Sequence, residues 1–326
     1  MKKLLIIILI SMGLGLQAQT ILRVNNIPTV NAPFRTIAAA VAVAGTTDTI
    51  LVEGSPTAYD ATLTLSKRVT IIGPGYFING SVQANPFNAR MGQIIFNAGS
   101  EGSTITGLEL TGTFVVNISN LTISNNKCNS VNILGGNSNL VIKENYIVAG
   151  VGRGTANSNT SSNILITNNF IGGTVGFQDN VTYSVIVNNV IGGASNSIVN
   201  AQASNNIFTS ATADPIDNFA NAVILNNVFV AAAQSGADAT NILGAVSTTL
   251  FLGLAGNNTD TQWRLKAGSP AIGAGSSGLD CGMYGGANPY KPFGILPGQP
   301  TLTGLTLPGS VPVNGTLNVK VSAKVN

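Results

Sequence analysis

Between about residue 120 and residue 230 the chain runs through short stretches of alternating apolar and polar positions, and each stretch ends on the same punctuation. In Asn163–Gly173 (NILITNNFIGG) and Ser184–Gly193 (SVIVNNVIGG), aliphatic and β-branched residues lead into an Asn pair, and one or two apolar residues follow it. Alternation of this kind predicts short strands bounded by turns. The pairs are Asn125-Asn126, Asn168-Asn169, Asn188-Asn189, Asn205-Asn206 and Asn226-Asn227, with Glu144-Asn145 filling the one gap in the series. Their second members, Asn126, Asn145, Asn169, Asn189, Asn206 and Asn227, lie 17 (189 to 206) to 24 (145 to 169) residues apart. A period near twenty built from short strands predicts a solenoid, in which each unit buries its apolar face against the next.

The doublet suits two tasks. Asn tolerates the left-handed backbone of a sharp corner, and stacked Asn amides can bond from one rung to the next. On this reading the same residue makes the turn and ties neighbouring turns together. Aligning the doublets places Ile123, Ile142, Ile166 and Ile186 on the inner side of one strand, and Cys128, Ile147, Ile171, Ile191, Phe208 and Phe229 on the inner side of the next. Cys128 is then a buried apolar filler, and a disulfide to Cys281, beyond the repeats, is not expected. The pairs Gly172-Gly173 and Gly192-Gly193 read as turn glycines, and Gly150–Ser162, in the longest interval, as a protruding loop.

The ends differ from the middle. Lys2 and Lys3, the apolar run Leu4–Leu16 and small Ala18 form a secretory signal over residues 1–18, the run being thirteen residues long where a bilayer span needs about twenty. Asn31 and Pro33 start and Gly45 stops an amphipathic helix over about 31–45, with Ile37, Ala40, Val41 and Ala44 on one face, suited to cap the open end of a stack. Repeats occupy about 60–255, within a coil domain of 19–290. Six prolines punctuate the stretch from Pro289 to Pro312, and 291–326 reads as a short carboxy-terminal strand closure, packed on the last rung or left as a piece of hairpin.

These features resemble the pectin-lyase-like superfamily of secreted bacterial right-handed parallel β-helix proteins. The helix followed by Thr47–Val52 and Val69–Gly75 is similar to that superfamily's amino-terminal cap and first rungs. The Asn column resembles its asparagine ladder, and Gly268–Gly275 with Asp280–Gly286 resembles a closing segment of its members. The resemblance covers about 30–290 and implies an all-β solenoid with a capping helix. It implies little about activity, because that coil hosts lyases, hydrolases, esterases and inert surface proteins.

Charge and chemistry narrow the field. Among 326 residues 39 are Asn and only 8% are charged, and without the signal segment 13 basic residues (15 minus Lys2 and Lys3) face 12 acidic ones. That balance calls for neither nucleic acid nor an anionic membrane as partner. Histidine is absent, which removes the commonest general base, the Ser-His and Cys-His nucleophile systems and the usual zinc ligands. Between Leu110 and Ser210 the acids are Glu144 and Asp179, too few for a carboxylate cage around calcium. No cofactor fingerprint or metal-ligand spacing is present, so no cofactor is expected. Asp214 and Asp217 read as turn aspartates, Glu109 and Lys127 as an ion pair between adjacent rungs, and Trp263 as packing against the closing rung.

Lys143, Glu144 and Arg153 remain as weak catalytic candidates: the two cations could hold a sugar carboxylate, with one serving as base. The favoured function is a secreted or cell-surface module, without catalysis, that offers an amide- and hydroxyl-rich face to polysaccharide. The alternative is a carbohydrate-active enzyme on acidic polysaccharide, a β-eliminating lyase before a glycoside hydrolase.

Overall fold

The computed structural model describes residues 20–78, 83–153, 160–177, 181–256, 259–295, 300–306, 308 and 316–325. The proposed signal segment lies outside these residues, as does Asp179. Among the described residues no helix is long and apolar enough to cross a membrane.

The chain is a right-handed parallel β-helix. One face is a row of parallel strands that begins with Ile21–Val24 and Thr49–Val52, passes through Leu121–Ser124, Ser138–Lys143, Ser161–Thr167 and Ser184–Val187, and ends at Val223–Leu225. Stacking therefore starts at Ile21, well before the Asn repeat becomes visible. A second row starts immediately after each doublet, with Lys127–Ile133 and Tyr146–Arg153 as its longest members. These two long strands bend onto a third face, and in later rungs the bend becomes a break: Phe170–Ile171 is followed by Val175–Phe177, and Val190–Ile191 by Asn196–Ile198. Gly150–Arg153 and Ser161–Ser162, expected in a protruding loop, are strand residues paired to neighbouring rungs.

The register keeps the sequence columns. Ile123 pairs with Ile142, Ile142 with Ile166 and Ile166 with Ile186. Cys128 pairs with Ile147, Ile147 with Ile171, and Ile171 with Ile191. All of these are buried within one continuous apolar core, since alternate strand residues face alternate sides. Phe208 and Phe229 stack in it at 4.7 Å with ring planes 5° apart.

The capping helix is shorter than the sequence suggests, covering Ile37–Val43 with Thr36 as its cap. Residues before it are held in extended form: Phe34 bridges Val24, and the Arg35 guanidinium donates to the carbonyls of Asn25 and Ile27. Thr36 Oγ1 accepts from Ala39 N, and the Asp60 carboxylate, from a neighbouring rung, accepts from Ile37 N at 2.7 Å. That second acceptor fixes where the helix begins, and no local pattern reveals it. Ile37, Ala40 and Val41 are buried on the face foreseen, and Lys67 Nζ closes the other end on the carbonyls of Ala42 and Ala44.

The glycine pairs do not make positive-φ turns. A Cβ on Gly173 would lie 1.8 Å from the Ala149 carbonyl oxygen, and one on Gly192 would lie 2.4 Å from that of Gly172. They are small because stacked backbones approach closely at the bend. Gly173→Ala is expected to push adjacent rungs apart and lower stability by about 3 kcal/mol, at the upper end for overpacking. Urea denaturation followed by circular dichroism measures this.

Candidate functional site

The doublet is a two-residue device, and its members do different jobs. The first member takes the left-handed backbone, with φ of 54° at Asn125, 56° at Glu144, 55° at Asn168, 56° at Asn188, 57° at Asn205 and 55° at Asn226. The second is fully buried and forms the ladder. Asn189 Oδ1 accepts from Asn169 N at 2.9 Å and Asn169 Nδ2 at 3.0 Å, and Asn189 Nδ2 donates to Ile166 O, Val187 O and Asn206 Oδ1. The same pattern links Asn145 to Asn169, and Asn206 to Asn227. Asn126 joins through its backbone N–H, which donates to Asn145 Oδ1. Asn241, after Thr240, extends the ladder one rung further, with Oδ1 accepting from Asn227 N and Nδ2. At this corner the expectation that one residue turns the chain and also ties the rungs is thus corrected: the left-handed residue makes the turn and its neighbour enters the ladder.

A second set of left-handed residues stands at the other end of the first face: Asn120, Asn139, Asn163, Tyr183, Asn200 and Asn221. Their exposed amides bond along the column, Asn139 to Asn120 at 2.9 Å, Asn163 to Asn139 at 2.7 Å and Asn221 to Asn200 at 3.0 Å. Sequence reading missed this column, although each member stands five residues before the first member of a doublet.

The segment after the last rung runs back along the doublet corner as a strap. Asn205 Oδ1 accepts from Ser276 N, Asn168 Nδ2 donates to the carbonyls of Met283 and Gly285, and Tyr76 N donates to Phe293 O. Beneath the strap lies a second apolar core outside the coil, containing Tyr146, Phe170, Val190, Ile207 and Val228 from the coil and Ala271, Cys281, Met283 and Tyr290 from the strap. Trp263 stacks on Phe170 at 4.5 Å, and Phe170 on Tyr146 at 4.4 Å. The tryptophan therefore packs both on the flank of the mid-coil, at Phe170, and edge-on against Phe251 after the last rung. Both cysteines are free and buried. Burial pushes the Cys281 thiol up to about 12 and raises that of Cys128. The hairpin Pro300–Thr306 with Lys320–Val325 follows the strap, and Leu302 O accepts from Ala84 N in the early rungs.

Lys143 ends a strand of the first face and Arg153 ends a strand of the second row, beyond its bend. Glu144 is buried at the doublet corner, with Lys143 Nζ 3.7 Å away. Glu109 and Lys127 form the expected pair between rungs at 2.6 Å. Asp214 has φ of 51° and accepts from Ser235 N, and Asp217 accepts from the Ser195 hydroxyl. Among the described residues no three His, Cys, Asp or Glu side chains gather where a metal ion could sit.

Two carboxylates are buried near the strap. Burial raises the Glu144 carboxyl, against the pull of Lys143 and Lys291. Burial also raises Asp260, which accepts from Phe293 N at 2.6 Å and from the Tyr290 hydroxyl at 3.3 Å, with Tyr76, Tyr284 and Tyr290 around it. With folded values above unfolded ones, the folded chain holds more protons. This contribution is full below the ordinary carboxylate value near 4 and is lost as pH rises through the raised values. Asp48 and Asp238, held low by backbone N–H groups of Gly45 and Thr240, act in the opposite sense. A Glu144→Gln, Asp260→Asn variant should therefore gain melting temperature relative to the parent between pH 4 and pH 7. Calorimetry at several pH values reads that difference.

Two depressions mark the outer surface. The larger, about 490 Å³, lies at the second corner beside Tyr183, Val185, Gln202 and Val223. The smaller, about 350 Å³, lies on the third face among Ser130, Asn132, Thr174 and Ser197. Among the described residues no carboxylate and no basic side chain lines either one. The geometry defines a parallel β-helix repeat protein with an external strap and with surface depressions lined by hydroxyl, amide and apolar groups. Searched for relatives, the chain matches no protein-family model and no curated protein.

Proposed function

We propose that this chain is a secreted or cell-surface β-helix, of the pectin-lyase-like kind, that binds polysaccharide without cleaving it. The observation that carries this reading is the chemistry of its two depressions, where hydroxyl, amide and apolar groups line concave surfaces on a rigid coil. Such lining suits sugars, which combine hydroxyl rims with apolar C–H faces. Rigid strands keep the surface in shape, so little ordering entropy opposes binding. The lyase alternative needs Lys143 and Arg153 on one substrate carboxylate, and they stand on separate strands of separate faces.

The test pairs binding with turnover. The purified full chain is run through gels containing neutral or acidic polysaccharides and is incubated with polygalacturonate while absorbance of an unsaturated uronate is followed. Retardation with no rise in absorbance is expected. Sustained turnover of any glycan would overturn the non-catalytic reading.

A further inference from the structure

Tyr183 breaks a rule that its five column-mates obey. Asn120, Asn139, Asn163, Asn200 and Asn221 occupy the same left-handed corner in their rungs, and amide bonds link them on both sides of the break. Asn suits that backbone because its short polar side chain relieves the crowding of the left-handed region. Tyrosine has no such advantage, yet Tyr183 holds φ of 55° there. It also leaves 85% of its surface in solvent, the most exposed among the large apolar residues described. Tyrosine at this corner thus adopts an unfavourable backbone and buries almost nothing. Strain of this kind, held by surrounding structure, points to a use outside the fold.

The surroundings indicate that use. Tyr183 stands between the short strand Val181–Thr182 and the strand Ser184–Val187, at the rim of the larger depression. Val185 and Val223, 37% and 52% exposed, form its apolar floor. Gln202 lies between them in register, since Val185 pairs with Gln202 and Gln202 with Val223. Asn200 and Asn221 carry the amide column past the other side. The site therefore offers an aromatic face, an apolar floor and amides, and among the described residues no charged side chain lines it to meet a uronate or an amine.

We propose that Tyr183 is the stacking platform of a binding site for a neutral glycan, with a pyranose ring lying on the aromatic face and its hydroxyls meeting the amides of Gln202, Asn200 and Asn221. This rests on the polysaccharide-binding reading and names the site and the ligand class within it. An aromatic face provides apolar contact at little entropic cost, because tyrosine has few rotatable bonds to freeze. An uncharged lining disfavours acidic glycans, whose carboxylates would lose water without gaining a partner.

Tyr183→Asn is the decisive variant, because it restores the column residue that the backbone prefers. Its thermal midpoint should equal or exceed that of the parent, so loss of binding cannot come from unfolding. Affinity electrophoresis of the full chain uses gels containing hydroxyethylcellulose, galactomannan, dextran or polygalacturonate. The expected result is retardation of the parent by at least one neutral polymer, with binding weakened roughly tenfold in Tyr183→Asn, equivalent to ~1.4 kcal/mol. Tyr183→Phe, which keeps the ring, should bind more tightly than Tyr183→Asn, and Leu254→Ala, exposed after the last rung and outside both depressions, should bind as the parent does. Equal binding by parent and Tyr183→Asn overturns the Tyr183 site while leaving polysaccharide binding in place. Retardation by polygalacturonate alone overturns the neutral ligand. A parent retarded by none of the four overturns the binding reading and this site with it.

Discussion

Asn189→Ala is expected to lower stability by about 4 kcal/mol, more than a typical buried polar deletion. Five hydrogen bonds meet at this one side chain, between 2.9 and 3.0 Å. Alanine strands the buried Asn169 backbone N–H and takes the amide donor from the Ile166 carbonyl, whereas Val187 O keeps the Asn168 N–H. Each unpaired buried group costs about 1–3 kcal/mol, offset in part by relaxation. Asn189→Asp is expected to do worse, since an acceptor-only carboxylate would face the Ile166 and Val187 carbonyls. The left-handed member of a doublet should behave differently. Gly107, with φ of 72°, precedes Leu108, whose N–H bonds Asn126 Oδ1, so glycine already serves at this corner. Asn226→Gly is therefore expected to stay within about 1 kcal/mol of the parent. Urea midpoints of the three variants measure the contrast, and equal losses at Asn189→Ala and Asn226→Gly would contradict the division of roles.

Phe170→Ala is expected to release the strap before the coil unfolds. Phe170 is 8% exposed and lies between Tyr146 and Trp263, so its removal breaks two stacked contacts and opens a cavity under the strap. The expected loss is about 3–4 kcal/mol for an aromatic deletion of this kind. The loss should be local, because Phe170 belongs to the outer core, whereas the adjacent Ile171 belongs to the inner one. Hydrogen exchange should show faster opening of amides such as Cys281 and Tyr290, with those of Ile164–Ile166 still protected. Loss of protection throughout the coil would show instead that the two cores form one cooperative unit.

The inner core was legible because it is periodic: Ile142, Ile166 and Ile186 repeat, and each must point inward if its polar neighbours point out. The outer core left a signal too. Tyr146 and Ile147, Phe170 and Ile171, and Val190 and Ile191 are consecutive apolar pairs in strands, where only one of two can face inward. The other column therefore needed a cover. What covers it was not legible, because Asn168 and its strap partner Met283 are 115 residues apart and the strap has no periodicity. The candidate site divides in the same way. Lys143 and Glu144 are neighbours in sequence and remain neighbours, but the fold buries Glu144 at the doublet corner and sets Arg153 beyond a bend. Tyr183 was invisible because the alternation around it is ordinary, and only its column-mates show that an Asn belongs there.

By itself, then, the sequence determined the coil: its rung length, its inward columns, its amide ladder and its capping face. These follow from local alternation and from a repeat that forces each unit onto an identical neighbour. The tertiary structure alone decided which member of each doublet turns and which binds, where the capping helix begins, what the closing strap buries and where an exposed tyrosine interrupts an amide column. Each of these depends on groups brought together across rungs or across more than a hundred residues, where sequence spacing carries no distance.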